Sequence, residues 1–311
     1  MNLKIKDFLS ITDLKKEELL FVLKTAKDFK SGKLKADSLK EKSVAMIFEK
    51  PSTRTRLSFQ TAIYELGGQP INLNSTEMQL SRGETVHDTA KVISRYVHAI
   101  TLRTFEHSRV VELAKHATVP VINALSDFEH PCQILADLQT MEEKTGLQGI
   151  KAVFVGDGDN NVTNSFIFAC AILGIPLTVA CPKKYSPKKA VIEKARSLSK
   201  NMGLSITDDP KAAVKDADVI YTDVWISMGM EKESAERKKA FMPFQVNSKL
   251  MSYAGESNYI IMHDLPAHRG EEITDEIIDG PHSVVFDEAE NRKHAQKAIL
   301  HLLMTRNINK R

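Results

Sequence analysis

Apolar residues along the 311-residue chain fall into two alternating patterns. Short unbroken runs such as Val44-Ala45-Met46-Ile47-Phe48 have the length of strands buried on both faces, whereas longer stretches repeat apolar residues every three or four positions, as amphipathic helices do. Leu14, Leu20, Leu23 and Ala26 mark the first helix, the run Val44 to Phe48 the first strand, and a helix follows from about Thr53 to Leu66, stopped by Gly67-Gly68. A helix over Asp88 to Val97, a strand over Ala99 to Leu102, and a helix over Val110 to Ala117 continue the alternation. Val119 to Ile122 has strand composition, although Pro120 lacks the N–H that a sheet ladder needs. A long helix from Pro131 to Lys144 ends at Gly146.

A second series then begins, with strands at Lys151 to Val155, Leu177 to Ala180, Val219 to Tyr221 and Tyr259 to Met262, and with a helix over Lys188 to Met202 among others. Strands alternating with helices predict an α/β fold of two domains, each a parallel sheet flanked by helices. The predicted boundary lies near Gly149, giving a first domain over residues 1–148 and a second over 149–287. The last helical pattern, from about Glu288 to Met304, is long enough for the segment 288–311 to pack back onto the first domain.

Composition narrows the function classes. With 43 Lys plus Arg against 40 Asp plus Glu, the net charge is +3, and the basic residues are dispersed, so a nucleic-acid partner is not expected. Cys132, Cys170 and Cys181 are odd in number and lack metal-ligand spacing, which argues against a disulfide framework and a zinc site and for a reducing cytoplasm. The N-terminus has no apolar signal core and no run of about 18 apolar residues occurs, so no membrane span is expected.

Candidate chemistry lies where predicted strands end. Ser52-Thr53-Arg54-Thr55-Arg56 sits between a strand and a helix start, where unpaired N–H groups, hydroxyls and guanidiniums suit phosphate oxygens; the same residues also make an ordinary Ser/Thr helix cap with solvated arginines. Arg103 follows a strand, and His130-Pro131-Cys132-Gln133 opens a helix, so Arg103, His130 and Gln133 could together donate to a carbonyl oxygen that turns negative. Taken singly, they are surface or helix-start residues. Gly156-Asp157-Gly158-Asp159-Asn160-Asn161 resembles a dinucleotide loop but places Asn161 where the third glycine belongs. Asp223-Val224-Trp225-Ile226-Ser227-Met228-Gly229 offers a carboxylate, a hydroxyl and turn N–H groups to the zwitterionic end of an amino acid, or else is a loop anchored by its Trp. His263-Asp264-Leu265-Pro266-Ala267-His268 again follows a strand and has no recognised metal-ligand spacing.

In this order, S-T-R-T-R, H-P-x-Q, D-x-x-x-S-M-G and H-x-L-P resemble the aspartate/ornithine carbamoyltransferase family over essentially the whole chain, with S-M-G and H-x-L-P pointing to its ornithine branch. The resemblance implies transfer of a carbamoyl group from carbamoyl phosphate to the side-chain amine of ornithine, giving citrulline and phosphate, in arginine biosynthesis and without metal or cofactor. It implies that Ser52, Thr53, Arg54 and Thr55 bind phosphate, that Arg103, His130 and Gln133 hold the carbamoyl carbonyl, and that Arg292 of the last helix reaches carbamoyl phosphate. Asn161, Asp223, Ser227 and the Met228 backbone match positions that hold ornithine, alongside Asp264 and Leu265 of the H-x-L-P segment. The segment Gln79 to Glu84 resembles a loop that crosses to a neighbouring subunit, which implies a homotrimer or an assembly of trimers, with Gln79 reaching carbamoyl phosphate. One departure stands out: the ornithine branch reads H-C-L-P, and this chain has Asp264 in place of the thiol. A carbamoyltransferase for putrescine or a modified ornithine, and a non-catalytic binding relative, are the alternative readings; a pyridine-nucleotide dehydrogenase is more remote.

Overall fold

The computed structural model describes residues 2–199, 203–227, 231–255 and 258–306, and it divides into two compact units. The first takes the chain up to Gln139 and again from Glu290; the second is Thr140–Ala289. The first unit contains α1 (Lys16–Lys30), β1 (Ser43–Phe48), α2 (Thr53–Glu65), β2 (Gln69–Asn74), α3 (Val86–Ile93), β3 (Ala99–Arg103), α4 (His107–His116) and β4 (Val121–Leu125). Next comes α5 (Pro131–Lys144), which runs on past the division at Gln139. All four strands are parallel, in the order β2-β1-β3-β4. The chain therefore leaves β1 in one direction to reach β2 and in the other to reach β3 and β4. That reversal opens a crevice at the carboxyl ends of β1 and β3, the place where parallel sheets receive ligands.

The second unit contains β5 (Ala152–Val155), α6 (Asn161–Leu173), β6 (Leu177–Ala180), α7 (Lys189–Leu198), β7 (Leu204–Thr207), α8 (Pro210–Val214), β8 (Val219–Tyr221), α9 (Ser234–Phe241), α10 (Ser248–Met251), β9 (Ile260–Met262) and α11 (Asp275–Ile278). The final helix α12 (Val285–Thr305) begins in this unit and ends in the first. Its sheet is also parallel, ordered β7-β6-β5-β8-β9, so the reversal falls between β5 and β8. The α/β class predicted from the alternation is the observed one. Central strands are buried along their length, which explains why they read as unbroken apolar runs.

Four differences from the pattern reading are local, and the first three have evident causes. The strand expected at Val119 to Ile122 starts only at Val121, because Pro120 has no N–H for the ladder, though its carbonyl accepts from the Ile100 N–H at 2.8 Å. The helix expected over Asp88 to Val97 is displaced to Val86–Ile93, since Thr85 caps it by accepting the Asp88 N–H at 3.0 Å. Strands β2 and β7 lie at sheet edges with largely unburied residues, so neither shows an apolar run. The helix expected over Lys188 to Met202 is observed as Lys189–Leu198, and Met202 lies outside the described residues.

Candidate functional site

Helix α2 begins at the end of β1, with Ser52 as its cap: Ser52 Oγ accepts the Thr55 N–H at 3.2 Å. Its first turn holds no acidic residue, but Arg54 and Arg56 follow the cap. Positive side chains at the positive end of a helix dipole are electrostatically mismatched unless an anion joins them. Arg56 is spent locally, donating to Asn74 Oδ1 at 2.9 Å and lying over the Phe48 ring at 4.8 Å. Thr53 is exposed and Arg54 half-buried, while Thr55 is buried.

Arg103 enters the same crevice from the end of β3. The ladder to β4 slips there, with Leu102 opposite Asn123 and Arg103 opposite Leu125, a bulge of the kind that re-aims a side chain. Arg103 Nη1 donates to Thr55 Oγ1 at 3.4 Å, and Arg292 Nη2 of α12 donates to the same oxygen at 3.0 Å. Arg292 Nη1 also donates to Gln133 Oε1, and Gln133 Nε2 donates to Asp137 Oδ1 at 2.8 Å. Both arginines and Gln133 are buried. His130 is buried at the start of α5; burial, with Arg292 and Arg103 close by, pushes its imidazole well below its usual range, so it is neutral at physiological pH. Lys50, between β1 and the cap, is lowered by burial and by Arg103, and its ammonium lies 4.4 Å from the centre of the Phe105 ring. Ser52, Thr55, Arg103, His130, Gln133 and Arg292 thus gather in one positively charged cluster. Gln79 starts a short exposed turn and is not part of its buried core.

In the second unit, the loops after β5 and β8 flank the sheet's reversal. Asn160 caps α6 by accepting the Thr163 N–H at 2.7 Å, and its Nδ2 donates to Asp223 Oδ2 at 3.1 Å, which joins the two loops. Asn161 is the first residue of α6 and half-buried; Ser227 is also half-buried, and Met228 lies outside the described residues. Trp225 anchors its loop, the simpler of the two meanings open to that segment: it is 1% exposed and stacked on Phe241 with centroids 6.0 Å apart. Arg237 of α9 secures both loops, donating from Nε to the Trp225 carbonyl at 2.6 Å and from Nη2 to Asp157. The glycine loop does not offer a dinucleotide cradle. A Cβ on Gly158 would lie 2.7 Å from the Tyr185 carbonyl oxygen and 2.8 Å from Pro187 Cδ, so the protein's own chain fills that space.

After β9, His263 is fully buried and its Nδ1 accepts the Leu265 N–H at 2.9 Å, which leaves Nε2–H to donate to Glu272 Oε1 at 3.1 Å. This ring arrangement fixes Leu265 at φ 58°, and Asp264 beside it is partly buried. Burial, and then the charge of Asp264, holds the Asp223 carboxyl well above the usual carboxylate range. Two groups of ligand-type side chains occur among the described residues, Asp223/His263/Asp264 and His268/Glu271/Glu272. Both His263 nitrogens and Glu272 Oε1 are already committed to hydrogen bonds within the protein.

Lys50, Arg237 and Glu272 were not singled out from the sequence. Lys50 had a usable signal, a lysine between a buried strand and a hydroxyl-rich cap. Arg237 had none, because its carboxylate partner stands 80 residues earlier in the chain.

Comparison with known proteins gives a consistent result. The carbamoyl-P binding domain of aspartate/ornithine carbamoyltransferase matches residues 6–143, and the Asp/Orn binding domain of the same family matches residues 148–303. The ornithine carbamoyltransferase of Thermococcus kodakarensis is 55% identical over 305 residues, covering 96% of each chain. The anabolic ornithine carbamoyltransferase of Pyrococcus furiosus is 54% identical over 305 residues, again 96% of each. Among solved structures, ornithine carbamoyltransferase from Pyrococcus furiosus superposes with a TM-score of 0.93 at 52% identity, covering 98% of both chains. The anabolic enzyme from Campylobacter jejuni superposes with a TM-score of 0.90 at 42% identity, covering 96% of this chain and 99% of the other.

Proposed function

Because the chain belongs to the aspartate/ornithine carbamoyltransferase family, we propose that it transfers the carbamoyl group of carbamoyl phosphate to the side-chain amine of ornithine, giving citrulline and phosphate. The observation that carries this reading is the convergence of Arg103 and Arg292 on the single neutral oxygen of Thr55, at a helix start that lacks an acid. Such a cluster stabilises a dianion, since each charge-assisted hydrogen bond to it contributes about 1.5–3 kcal/mol.

Ser52, Thr53, Arg54 and Thr55 take the phosphate through hydroxyls, a guanidinium and the N–H groups of the first turn of α2. Arg103, neutral His130 and Gln133 hold the carbamoyl oxygen, and Arg292 bridges the two ends. A neutral imidazole can still serve at that position, because one of its ring nitrogens carries an N–H that can donate to the developing oxyanion. Asn161, Asp223, Ser227 and the Met228 backbone hold the α-amino and α-carboxylate groups of ornithine, and Leu265 and Asp264 border its side chain. Transfer is direct. Positioning two small substrates can supply roughly 7–11 kcal/mol and one oxyanion donor about 3–4, so no covalent enzyme intermediate is needed.

Phosphate release and carbamoyl-product formation from a panel of amines at fixed carbamoyl phosphate test the acceptor. Ornithine is expected to exceed putrescine in kcat/KM by about 10² or more, because putrescine leaves the buried groups that would hold the α-substituents unpaired. Equal rates would reject ornithine as the acceptor.

The anabolic relatives support a role in arginine biosynthesis, in the direction of citrulline synthesis. No helix among the described residues is long and apolar enough to cross a membrane, which fits the cytoplasmic location we propose. We further propose a homotrimer, or an assembly of trimers, in which Gln79 serves a neighbouring subunit; its exposure on a surface turn leaves it available. Sedimentation analysis should give a mass divisible by three chains of 34.8 kDa, and an active monomer would remove Gln79 from the site.

A further inference from the structure

The turn that follows the H-x-L-P segment holds charged groups that carbamoyl transfer does not use, all of them within the second unit. Its backbone is pinned at several points. The Glu271 N–H donates to the His268 carbonyl at 2.8 Å, and the Val246 N–H donates to the Glu272 carbonyl at 2.8 Å. Gln245 Nε2 donates to the carbonyls of Gly270 and Glu271 at 2.9 and 2.8 Å. Gly270 makes the corner at φ 84°, a conformation that most side chains resist. These constraints set His268, Glu271 and Glu272 side by side, each offering one ligand-type atom within 4.8 Å of the other two.

Glu272 is the informative member, because it is fully buried and its two oxygens are treated unequally. Oε1 accepts both the His268 N–H at 2.6 Å and His263 Nε2–H at 3.1 Å, whereas Oε2 is buried with no hydrogen-bond partner. A buried carboxylate oxygen with neither donor nor cation is costly, and an orphan of this kind points to a missing ligand. Oε2 faces His268, whose Nδ1 lies 4.0 Å away, too far for a hydrogen bond. Two ligand atoms at about 2.0–2.2 Å from a tetrahedral metal stand about 3.4 Å apart, so this gap needs to close by only about 0.6 Å. The local charge also favours a cation. Glu271 Oε1 is held by Lys238 Nζ of α9 at 2.6 Å, and Arg269 is committed to Asp275 and Asp279 at 2.8 and 2.6 Å, which leaves two carboxylates facing one ammonium.

We infer that His268, Glu271 and Glu272 hold a divalent cation of the Zn2+ class, which fastens the turn closing the segment after β9. One imidazole nitrogen and two carboxylate oxygens suit Zn2+, with water completing the shell; Mg2+ demands oxygen ligands in octahedral array and is poorly matched to an imidazole. The cation gives Glu272 Oε2 the partner it lacks and competes with the Lys238 ammonium for Glu271. It takes no part in carbamoyl transfer. The neighbouring group of Asp223, His263 and Asp264 is a poorer site, because Nδ1 of His263 already accepts the Leu265 N–H and Nε2 carries the proton given to Glu272, so that ring has no lone pair left for a metal.

The test is calorimetry of ZnCl2 binding to the full chain without substrates, paired with thermal melts. The wild type should bind one Zn2+ per chain in the micromolar range, and its melting temperature should rise with Zn2+, since a ligand of the folded state stabilises it. His268→Ala and Glu271→Gln change side chains that are 48% and 29% exposed, so both variants should fold. Each should bind Zn2+ about 10²-fold more weakly, because losing even a group that only orients a metal ligand costs about 10–100-fold. Lys238→Met should bind it a few-fold more tightly, as removal of a competing ammonium requires and loss of a merely structural tie does not. Asp264→Asn should bind it as the wild type does. Affinity no better than millimolar in the wild type, equal affinity in the wild type and His268→Ala, or weaker binding by Lys238→Met would overturn the site. Loss of binding in Asp264→Asn with His268→Ala unaffected would overturn it in favour of the neighbouring group, and an equal rise in melting temperature with MgCl2 would overturn the class of cation.

Discussion

Replacement of Arg54 by alanine is expected to weaken carbamoyl phosphate binding about 10³-fold, as two charge-assisted bonds of about 2 kcal/mol each imply. The same change should leave the fold intact. Arg54 lies in the first turn of α2, where the helix dipole is positive and the turn itself holds no acidic residue. A guanidinium there costs roughly 0.3–1 kcal/mol in the anion-free protein. Arg54→Ala should therefore melt at the same temperature as the wild type or slightly above it, while the rise in melting temperature caused by carbamoyl phosphate disappears. Calorimetry and thermal melts with and without carbamoyl phosphate read both quantities. A variant that binds normally would take Arg54 out of the phosphate site, and one that melts well below the wild type would make Arg54 a structural residue.

A second large effect is expected at Arg237. Removing one member of a buried ion pair costs about 3–5 kcal/mol, because the other charge is left in a low-dielectric interior. Arg237 and Asp157 are 4% and 1% exposed, so neither is rescued by water. Burial pushes the Asp157 carboxyl up to about 6, against the opposing pull of Arg237. A carboxyl raised above its unfolded value binds a proton on folding, so its penalty is absent below about pH 4 and complete above about pH 6. Without Arg237 the Asp157 carboxyl rises further, and the penalty continues to grow above pH 6. Arg237→Gln should thus lose little stability at pH 5 and about 3 kcal/mol at pH 8. Urea unfolding followed by the fluorescence of Trp225, the chain's one tryptophan, reads this directly. A pH-independent loss would mean that the guanidinium acts through packing on Tyr185 and Phe241, with Asp157 a bystander.

What the sequence made readable follows burial. Strands β1, β3, β5 and β8 are covered on both faces and announce themselves as apolar runs; β2 and β7 lie at edges and do not. Ser52 and Thr55 are consistent with both meanings assigned to their motif, since Ser52 is a helix cap and Thr55 accepts from two arginines. Those meanings are compatible because a cap leaves most first-turn N–H groups unpaired. Periodicity could not supply contacts between distant segments. Arg292 meets Thr55 across 237 residues, and only likeness to a family pointed to it. The tie from Arg237 to the Trp225 carbonyl was hidden for another reason: a backbone acceptor leaves no trace in residue type. Asp264 was conspicuous as a departure, yet its closeness to Asp223 depends on how two loops meet.

The return of α12 to the first unit also sets a sequence of events during synthesis. Thr55 and Gln133 leave the ribosome long before Arg292, with the whole of Thr140–Ala289 translated in between. The intervening stretch can fold as a unit while it waits, since domains generally fold as units during synthesis. Its length adds little to the entropy of closing the outer segments together, because that cost grows only with the logarithm of loop size. Lys293 and Lys297 then grip Glu65 at 2.9 and 2.8 Å, one helical turn apart, and Lys30 reaches Asn291 at 2.8 Å. The nascent chain accordingly holds an incomplete anion cluster until residue 292 has emerged, so a ribosome stalled before that codon carries a polypeptide in which Thr55 and Gln133 have yet to meet the Arg292 guanidinium.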